Sequence, residues 1–272
     1  MEKSELSLKD KQEISLEILQ FVHDFCHHRG IRYYLAYGTL LGAVRHKGFI
    51  PWDDDVDIMI PRPDYNRFLS EFRDDEQYTL LSCFKKGNYV FPYAKVKSNY
   101  TNMILPNGKV DEQGLGIDLF PIDGIPNDMT DETAKTIFET KNNVFNSFVQ
   151  KYDAFKFIDP KIPKDYLKVF AHALCIGTGI LKKKSQEISS NPYNSKYDEC
   201  ERVASVVGIH SGIFRPFKKE WFDSIHMDFE GTQLIGPRGY DEILTLVYHD
   251  YMQLPPVEKR VTTHIAKFIW SE

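Results

Sequence analysis

Four carboxylates fall within five positions of AYGTLLGAVRHKGFIPWDDDVDIMIPRPDY, residues 36–65: Asp53, Asp54, Asp55 and Asp57. Carboxylates this close repel one another unless water, neighbouring cations or a bound ion shields them. VDIMI, 56–60, is an apolar, partly β-branched run and reads as a buried strand. On a strand, residues i and i+2 share a face, roughly 6.5–7 Å apart. Asp55 and Asp57 form such a pair, with Val56 and Ile58 directed into the core. Two converging carboxylates can grip a hard divalent cation such as Mg2+, with Mn2+ as the alternative. A third can come from LGIDLF, 115–120, where Asp118 stands alone among apolar residues. Buried without a partner it would cost on the order of several kcal/mol, which favours a metal-ligand role. A turn or cap beside Pro121 is the other reading. Asp53 reads as a supporting residue behind the ligands, although loop aspartates are common.

A metal between carboxylates suits phosphoryl transfer, where charge on phosphate oxygens must be neutralised. Gly38-Thr39, placed between an expected strand and a helix N-terminus, could cradle a phosphate on exposed N–H groups, with Thr39 as hydroxyl donor or cap. Arg45 follows on the same short helix and is read as a ligand-binding cation for a diphosphate. The competing role for Arg45, His46 and Lys47 is to complement the helix dipole. Lys95 and Lys97 share one strand face by the period-two rule and could meet phosphate or snorkel at a sheet edge. Arg260 and His264 lie four apart on an expected helix, either near the site or as a surface pair.

The elements that must position these residues follow from periodicity. Apolar residues recur at near-helical spacing over 6–28, and Gly30 ends that helix. Residues 31–37 read as a strand and 40–46 as a short helix. GFIPWDD is loop, and DYNRFLSEF starts a helix after Pro61 and Pro63. Strands are expected at 78–83, 89–97, 101–105 and 115–120. Helices are expected at 131–152, 164–184, 239–252 and after Pro256, with a polar loop near 185–198. The fold class is α/β in the α+β sense. A mixed-sheet catalytic core with its N-terminal helix occupies residues 1–126. A mainly helical region, 127–272, packs on it and completes the site.

Bulk properties narrow the function. The chain of 272 residues carries a net charge of −5, so a nucleic-acid partner is not expected and an anionic substrate needs a local positive patch. Cys26, Cys83, Cys175 and Cys200 are scattered without metal-ligand spacing, which points away from zinc and toward free thiols in the cytoplasm. MEKSELSLKDKQE is polar and charged, so no secretory leader is expected. VFAHALCIGTGIL, 169–181, is too short to span a bilayer and is followed by Lys182, Lys183 and Lys184. A buried helix with a solvated basic end is the favoured reading; peripheral contact with an anionic membrane, at the inner face, is the other.

A helix-opening Gly-Thr, then Asp55-Val56-Asp57-Ile58, then Ile117-Asp118-Leu119 on a separate strand resembles the signature of the nucleotidyltransferase superfamily. More narrowly, YGTLLGAVRHKGFIPWDDDVDI resembles the LicD family, which includes the fukutin-related proteins. YDEILTLVYHDYMQLPPVEKRVTTH, 240–264, is similar to that family's C-terminal signature, with His249 where the family usually has glycine. The resemblance implies a nucleotidyltransferase-like fold and transfer of phosphocholine from CDP-choline to a hydroxyl of a cell-surface glycan such as teichoic acid or lipopolysaccharide. CMP would be released. Fukutin-related members imply CDP-ribitol as a parallel donor, and another CDP-alcohol is open. It implies that Asp55 and Asp57 hold Mg2+ and that Asp118 completes the site and accepts the proton of the attacking hydroxyl. The acceptor could be lipid-linked. Transfer of a nucleoside monophosphate with release of pyrophosphate is the competing enzyme reading; a non-catalytic nucleotide- or glycan-binding module is the third. Choline would need an aromatic cage. Tyr33, Tyr34, Tyr37, Tyr89, Phe91 and Tyr93 are available for it, and Trp52 stacks on a base or anchors the acidic loop.

Overall fold

The computed structural model describes residues 4–85, 87–105, 108–158, 165–207, 214–262 and 266–271. Ser7 opens helix α1 (Leu8–Arg29) with a reciprocal cap: its hydroxyl accepts from Asp10 N–H while the Asp10 carboxylate accepts from Ser7 N–H. Gly30, at φ 58°, ends it. The apolar stripe Ile14, Ile18, Leu19, Val22 and Cys26 is buried against the sheet. Strand β1 (Tyr34–Leu35), helix α2 (Tyr37–His46), β2 (Asp57–Pro61) and α3 (Arg62–Glu71) come next. They are followed by β3 (Tyr78–Leu81), β4 (Ala94–Ser98), β5 (Thr101–Ile104), β6 (Val110–Asp111) and β7 (Gly116–Ile125).

Helix α4 (Asp131–Val144) runs on through a π turn at Phe145–Gln150, the short α5 (Lys151–Asp153) and a 3-10 turn at Ala154–Phe157. Helices α6 (Tyr166–Gly177) and α7 (Ile180–Ser189) follow, separated by Gly179 at φ 68°. The chain continues as β8 (Arg202–Ala204), β9 (Phe217–Lys218), β10 (Ser224–Phe229), β11 (Thr232–Pro237), α8 (Tyr240–Tyr248) and β12 (Lys267–Trp270).

The main sheet runs β1-β2-β7-β4-β3, and β8 extends it by pairing with β7 and β9. β2 and β7 are parallel; the other pairs of this sheet are antiparallel. β10 and β11 form a hairpin, and β12 joins β5 and β6 in a third sheet. The fold is thus α+β with a mixed sheet. Its core is built from Ile18, Leu19 and Val22 of α1 against Ile58 and Ile60 of β2 and Ile117 and Leu119 of β7, all fully buried.

Several elements differ from the sequence-based expectation. The strand expected at 31–37 shrinks to β1, because the helix begins at Tyr37, so Gly38 and Thr39 lie inside the first turn of α2. β2 starts at Asp57, which leaves Asp55 just outside the strand. Only 94–98 of the expected strand at 89–97 pairs; Pro92 lacks the N–H a ladder needs. β7 continues through Pro121 to Ile125. Asp118 N–H points to β2, bonding Val56 C=O, so by alternation the Pro121 nitrogen faces the other side. There it falls between the last β4 partner, Leu119, and the first β8 partner, Asp123, where no donor is required. The helix expected after Pro256 is a 3-10 turn at Val257–Lys259, and the chain ends as strand β12. The segment after Pro126, expected to be helical in the main, also carries β8 to β12. α6 is not the buried helix expected: none of its residues is buried. His249 sits at φ 60°, ψ −113° directly after α8, so the backbone does make the turn that glycine would favour.

Candidate active site

The parallel pairing of β2 with β7 sets Asp57 opposite Asp118, and the antiparallel pairing of β7 with β4 sets Asp118 opposite Lys95. Three charged residues therefore stand abreast on three adjacent strands. Cross-strand partners share a face, so the three side chains project together. Lys95 Nζ lies 2.8 Å from Asp118 Oδ1. Asp54, Asp55, Asp57, Lys95 and Asp118 line one cavity of about 300 Å3. An aromatic wall of Tyr89, Phe91, Tyr93 and Phe157 also lines it, and β12 contributes Phe268.

The electrostatics are uneven. Burial first, then the negative charges of Asp55, Asp118 and Asp53, push the Asp57 carboxyl well above the usual carboxylate range, with Lys95 pulling the other way. Burial alone would draw the Lys95 ammonium down, but Asp118, Asp55 and Asp57 hold it above its ordinary value. Among the described residues no three His, Cys, Asp or Glu side chains converge as a ready-made metal cage. The donor chemistry nevertheless fits a hard divalent cation. The cavity brings together the carboxylates of Asp55, Asp57 and Asp118, hard oxygen donors of the kind such an ion takes.

The remaining expected site residues separate into groups. Thr39 is buried, and its hydroxyl accepts from Asp57 N–H at 2.8 Å. It positions the strand that carries Asp57 and is absent from the cavity wall. A Cβ at Gly38 would stand 2.8 Å from Asp53 Oδ2, so glycine lets the Asp53 carboxylate sit against the first turn of α2. That carboxylate meets the positive end of the helix where an anion was expected. Asp54 is buried between Lys11 Nζ at 2.8 Å and the Thr262 hydroxyl at 2.9 Å, fastening the acidic loop to α1 and to the C-terminal segment.

Arg45 donates to Tyr251 C=O at 2.8 Å, and Arg260 donates to Pro255 C=O at 2.9 Å while its guanidinium lies 5.7 Å from the Trp52 ring. The two arginines are neighbours: Arg260, after burial, pulls the Arg45 pKa below its usual value. Neither lines the cavity that holds Asp57. Lys97 lines a second, adjoining cavity of about 790 Å3. His264 lies outside the described residues.

Of the six rings available for a cage, Tyr89, Phe91 and Tyr93 converge on the cavity. Tyr33 is committed to His23, Tyr34 packs on Phe222 and Tyr37 on Phe120. Residue-level reading missed Asp153, Lys156, Phe157 and Phe268, which all line the cavity. The sequence does carry an aromatic and charged signal over 152–157, YDAFKF, but nothing local ties it to strand residues sixty positions earlier.

The α+β fold thus places a carboxylate and lysine row and a group of aromatic rings in one cavity. The family model described as LicD/FKTN/FKRP, nucleotidyltransferase domain, matches residues 30–163. The chain is 31% identical to the lipopolysaccharide cholinephosphotransferase LicD of Haemophilus influenzae, over 96% of this chain and 97% of that protein. It is 39% identical to the uncharacterised protein RT0683 of Rickettsia typhi over 36% of this chain and 34% of that one. A stretch of 31 residues, 11% of this chain and 6% of the other, is 61% identical to the human ribitol 5-phosphate transferase FKRP. The chain belongs to the LicD family of phosphotransferases.

Proposed function

We infer that this enzyme moves a phospho-substituent, phosphocholine, from CDP-choline to a hydroxyl of a cell-surface glycan and releases CMP. The observation that carries the reading is the in-register row Asp57, Asp118 and Lys95, placed in one cavity with an aromatic wall. The full-length similarity to a lipopolysaccharide cholinephosphotransferase supplies the substrate class. Asp55, Asp57 and Asp118 would hold Mg2+, or Mn2+ in its place. That ion would neutralise the charge of the donor diphosphate. Lys95 pins the Asp118 side chain through the ion pair at 2.8 Å. Asp118 then receives the proton of the acceptor hydroxyl. Thr39 holds the Asp57 backbone, and Gly38 makes room for Asp53 behind it. Lys97 lines the adjoining cavity, into which a glycan or the nucleotide would extend, while Arg45 and Arg260 would bind substrate from outside both cavities. The core and the C-terminal region share the work: β12 contributes to the cavity that the main sheet lines. The enzyme acts on the cytoplasmic side of the membrane, on a lipid-linked acceptor.

The test is a donor panel. With Mg2+ and glycan acceptor, CDP-choline yields CMP and a phosphocholine-labelled glycan, faster than CDP-ribitol or CDP-glycerol. Pyrophosphate from a nucleoside triphosphate, with no CMP from any CDP-alcohol, would make it a nucleotidyltransferase instead.

A further inference from the structure

A positive charge already stands inside the aromatic wall. Lys156 Nζ lies 5.8 Å from the centre of the Phe91 ring and 5.2 Å from that of Phe157. Its counter-ion is Asp153, with Oδ2 at 3.0 Å, and the two side chains are only 10% and 7% exposed. Phe91 is flanked by Tyr89 and Tyr93, each with its ring centre 5.5 Å away. Rings presented to a cation and backed by a carboxylate are the chemistry that binds an alkylammonium. The Tyr89 hydroxyl is buried with no hydrogen-bond partner among the described residues, and Tyr89 lines both this cavity and the adjoining one.

We propose that Phe91, Phe157 and Asp153 form the subsite for the ammonium head of the donor, and that Lys156 is its built-in occupant, displaced when the donor binds. The inference rests on the transfer reading above and adds the residues that select the substituent. Lysine suits such a placeholder. Its charge sits on a four-carbon stem with several rotatable bonds, so the ammonium can leave without moving backbone. The exchange keeps one positive charge beside Asp153 throughout, so the buried carboxylate is never left alone. Lys156 also lines the adjoining cavity, whose wall includes Asp111 and Glu112, and its ammonium can retire there. A polyol head such as ribitol brings no charge, cannot replace the lysine at Asp153 and is therefore disfavoured.

Titration calorimetry with CDP-choline, CDP-ribitol and CDP, in Mg2+ buffer, tests this on the wild type and three variants. The wild type binds CDP-choline more tightly than CDP-ribitol. Lys156→Met removes the competitor, so CDP-choline binds about tenfold tighter while CDP-ribitol and CDP change little. Asp153→Asn and Phe91→Leu each reduce the preference for CDP-choline, by about tenfold and severalfold. Phe91→Leu preserves most of the packing and keeps the test open if the charge variants fold poorly. If Lys156→Met weakens all three ligands equally, the lysine is a phosphate ligand and the proposal falls. Tight CDP-ribitol binding without CDP-choline preference overturns the subsite but leaves the transfer reading standing. No binding of any of the three overturns both.

Discussion

Asp57 is buried among like charges, and this fixes what its removal should do. Its folded-state pKa is raised by burial and by Asp55, Asp118 and Asp53. For an acid shifted upward, the folded state holds the proton more tightly than the unfolded chain does. Its unfavourable contribution therefore grows as pH rises from the ordinary carboxylate range through the raised value, and is fully present above that. Asp57→Asn removes this repulsion. In metal-free buffer at neutral pH the variant should melt higher than the wild type, by roughly 2–4 °C for each kcal/mol relieved. Added Mg2+ should stabilise the wild type and not the variant, while CMP release falls by about a hundredfold or more. Thermal melts in EDTA and in Mg2+ read the first effect, and an unchanged Mg2+ response in the variant would remove Asp57 from the metal-binding set. At this scale the placing of Asp55, Asp57 and Asp118 in one cavity was legible, because Asp55 and Asp57 bracket the start of an apolar run and Asp118 stands alone inside another. The pairing of Lys95 with Asp118 was not legible, because register across strands is set by long-range pairing that local sequence does not encode.

β7 is the element that organises the site, since it touches β2, β4 and β8 at successive positions. Its far end is held by a bidentate ion pair: Arg62 Nε and Nη2 donate to the two oxygens of Asp123, each at 2.7 Å. Arg62 opens α3 directly after β2, so this pair locks the parallel strands that align Asp57 and Asp118. Both side chains are almost fully buried, at 9% and 0% exposure. Arg62→Leu would strand the Asp123 carboxylate and cost about 3–5 kcal/mol. The double variant Arg62→Met, Asp123→Leu removes both charges and should recover most of that loss in urea denaturation. Equal loss in the single and the double variant would show that packing, and not the stranded charge, sets the cost. The sequence marked β7 only to Phe120, because proline is a valid stop signal when the ladder on both sides is unknown. The final strand escaped for a similar reason: KFIW is short, and it becomes a strand only because β5 offers an edge.

The whole molecule carries a net charge of −5 and so repels an anionic bilayer at long range, but screening limits that repulsion to about 8 Å at physiological salt. Within that distance the local face decides. Leu167, Phe170 and Leu174 fall on one side of α6 at helical spacing and are 81%, 68% and 55% exposed. Lys182, Lys183 and Lys184 follow on α7. Among the described residues no helix is long and apolar enough to cross a membrane, so a bilayer would meet this stripe from the side. An acceptor on a lipid carrier gives such contact a purpose, because docking confines enzyme and acceptor to one surface. The apolar stripe supplies the burial, and a lysine at the surface adds about 1 kcal/mol of attraction to anionic lipid, a part that falls mainly to Lys183 because Lys182 donates to Lys85 and Gly87 C=O and Lys184 pairs with Glu187. The protein should therefore co-sediment with phosphatidylglycerol vesicles, less with phosphatidylcholine vesicles, and less again as salt is raised. Phe170→Asp with Leu174→Asp should abolish sedimentation while leaving CMP release with a water-soluble acceptor unchanged, since neither residue lines the cavity of Asp57. Equal sedimentation of the double variant would exclude α6 as the contact. Concentration-dependent self-association of the wild type, lost in the variant and with no vesicle binding, would mean that the stripe pairs with a second copy of the chain instead.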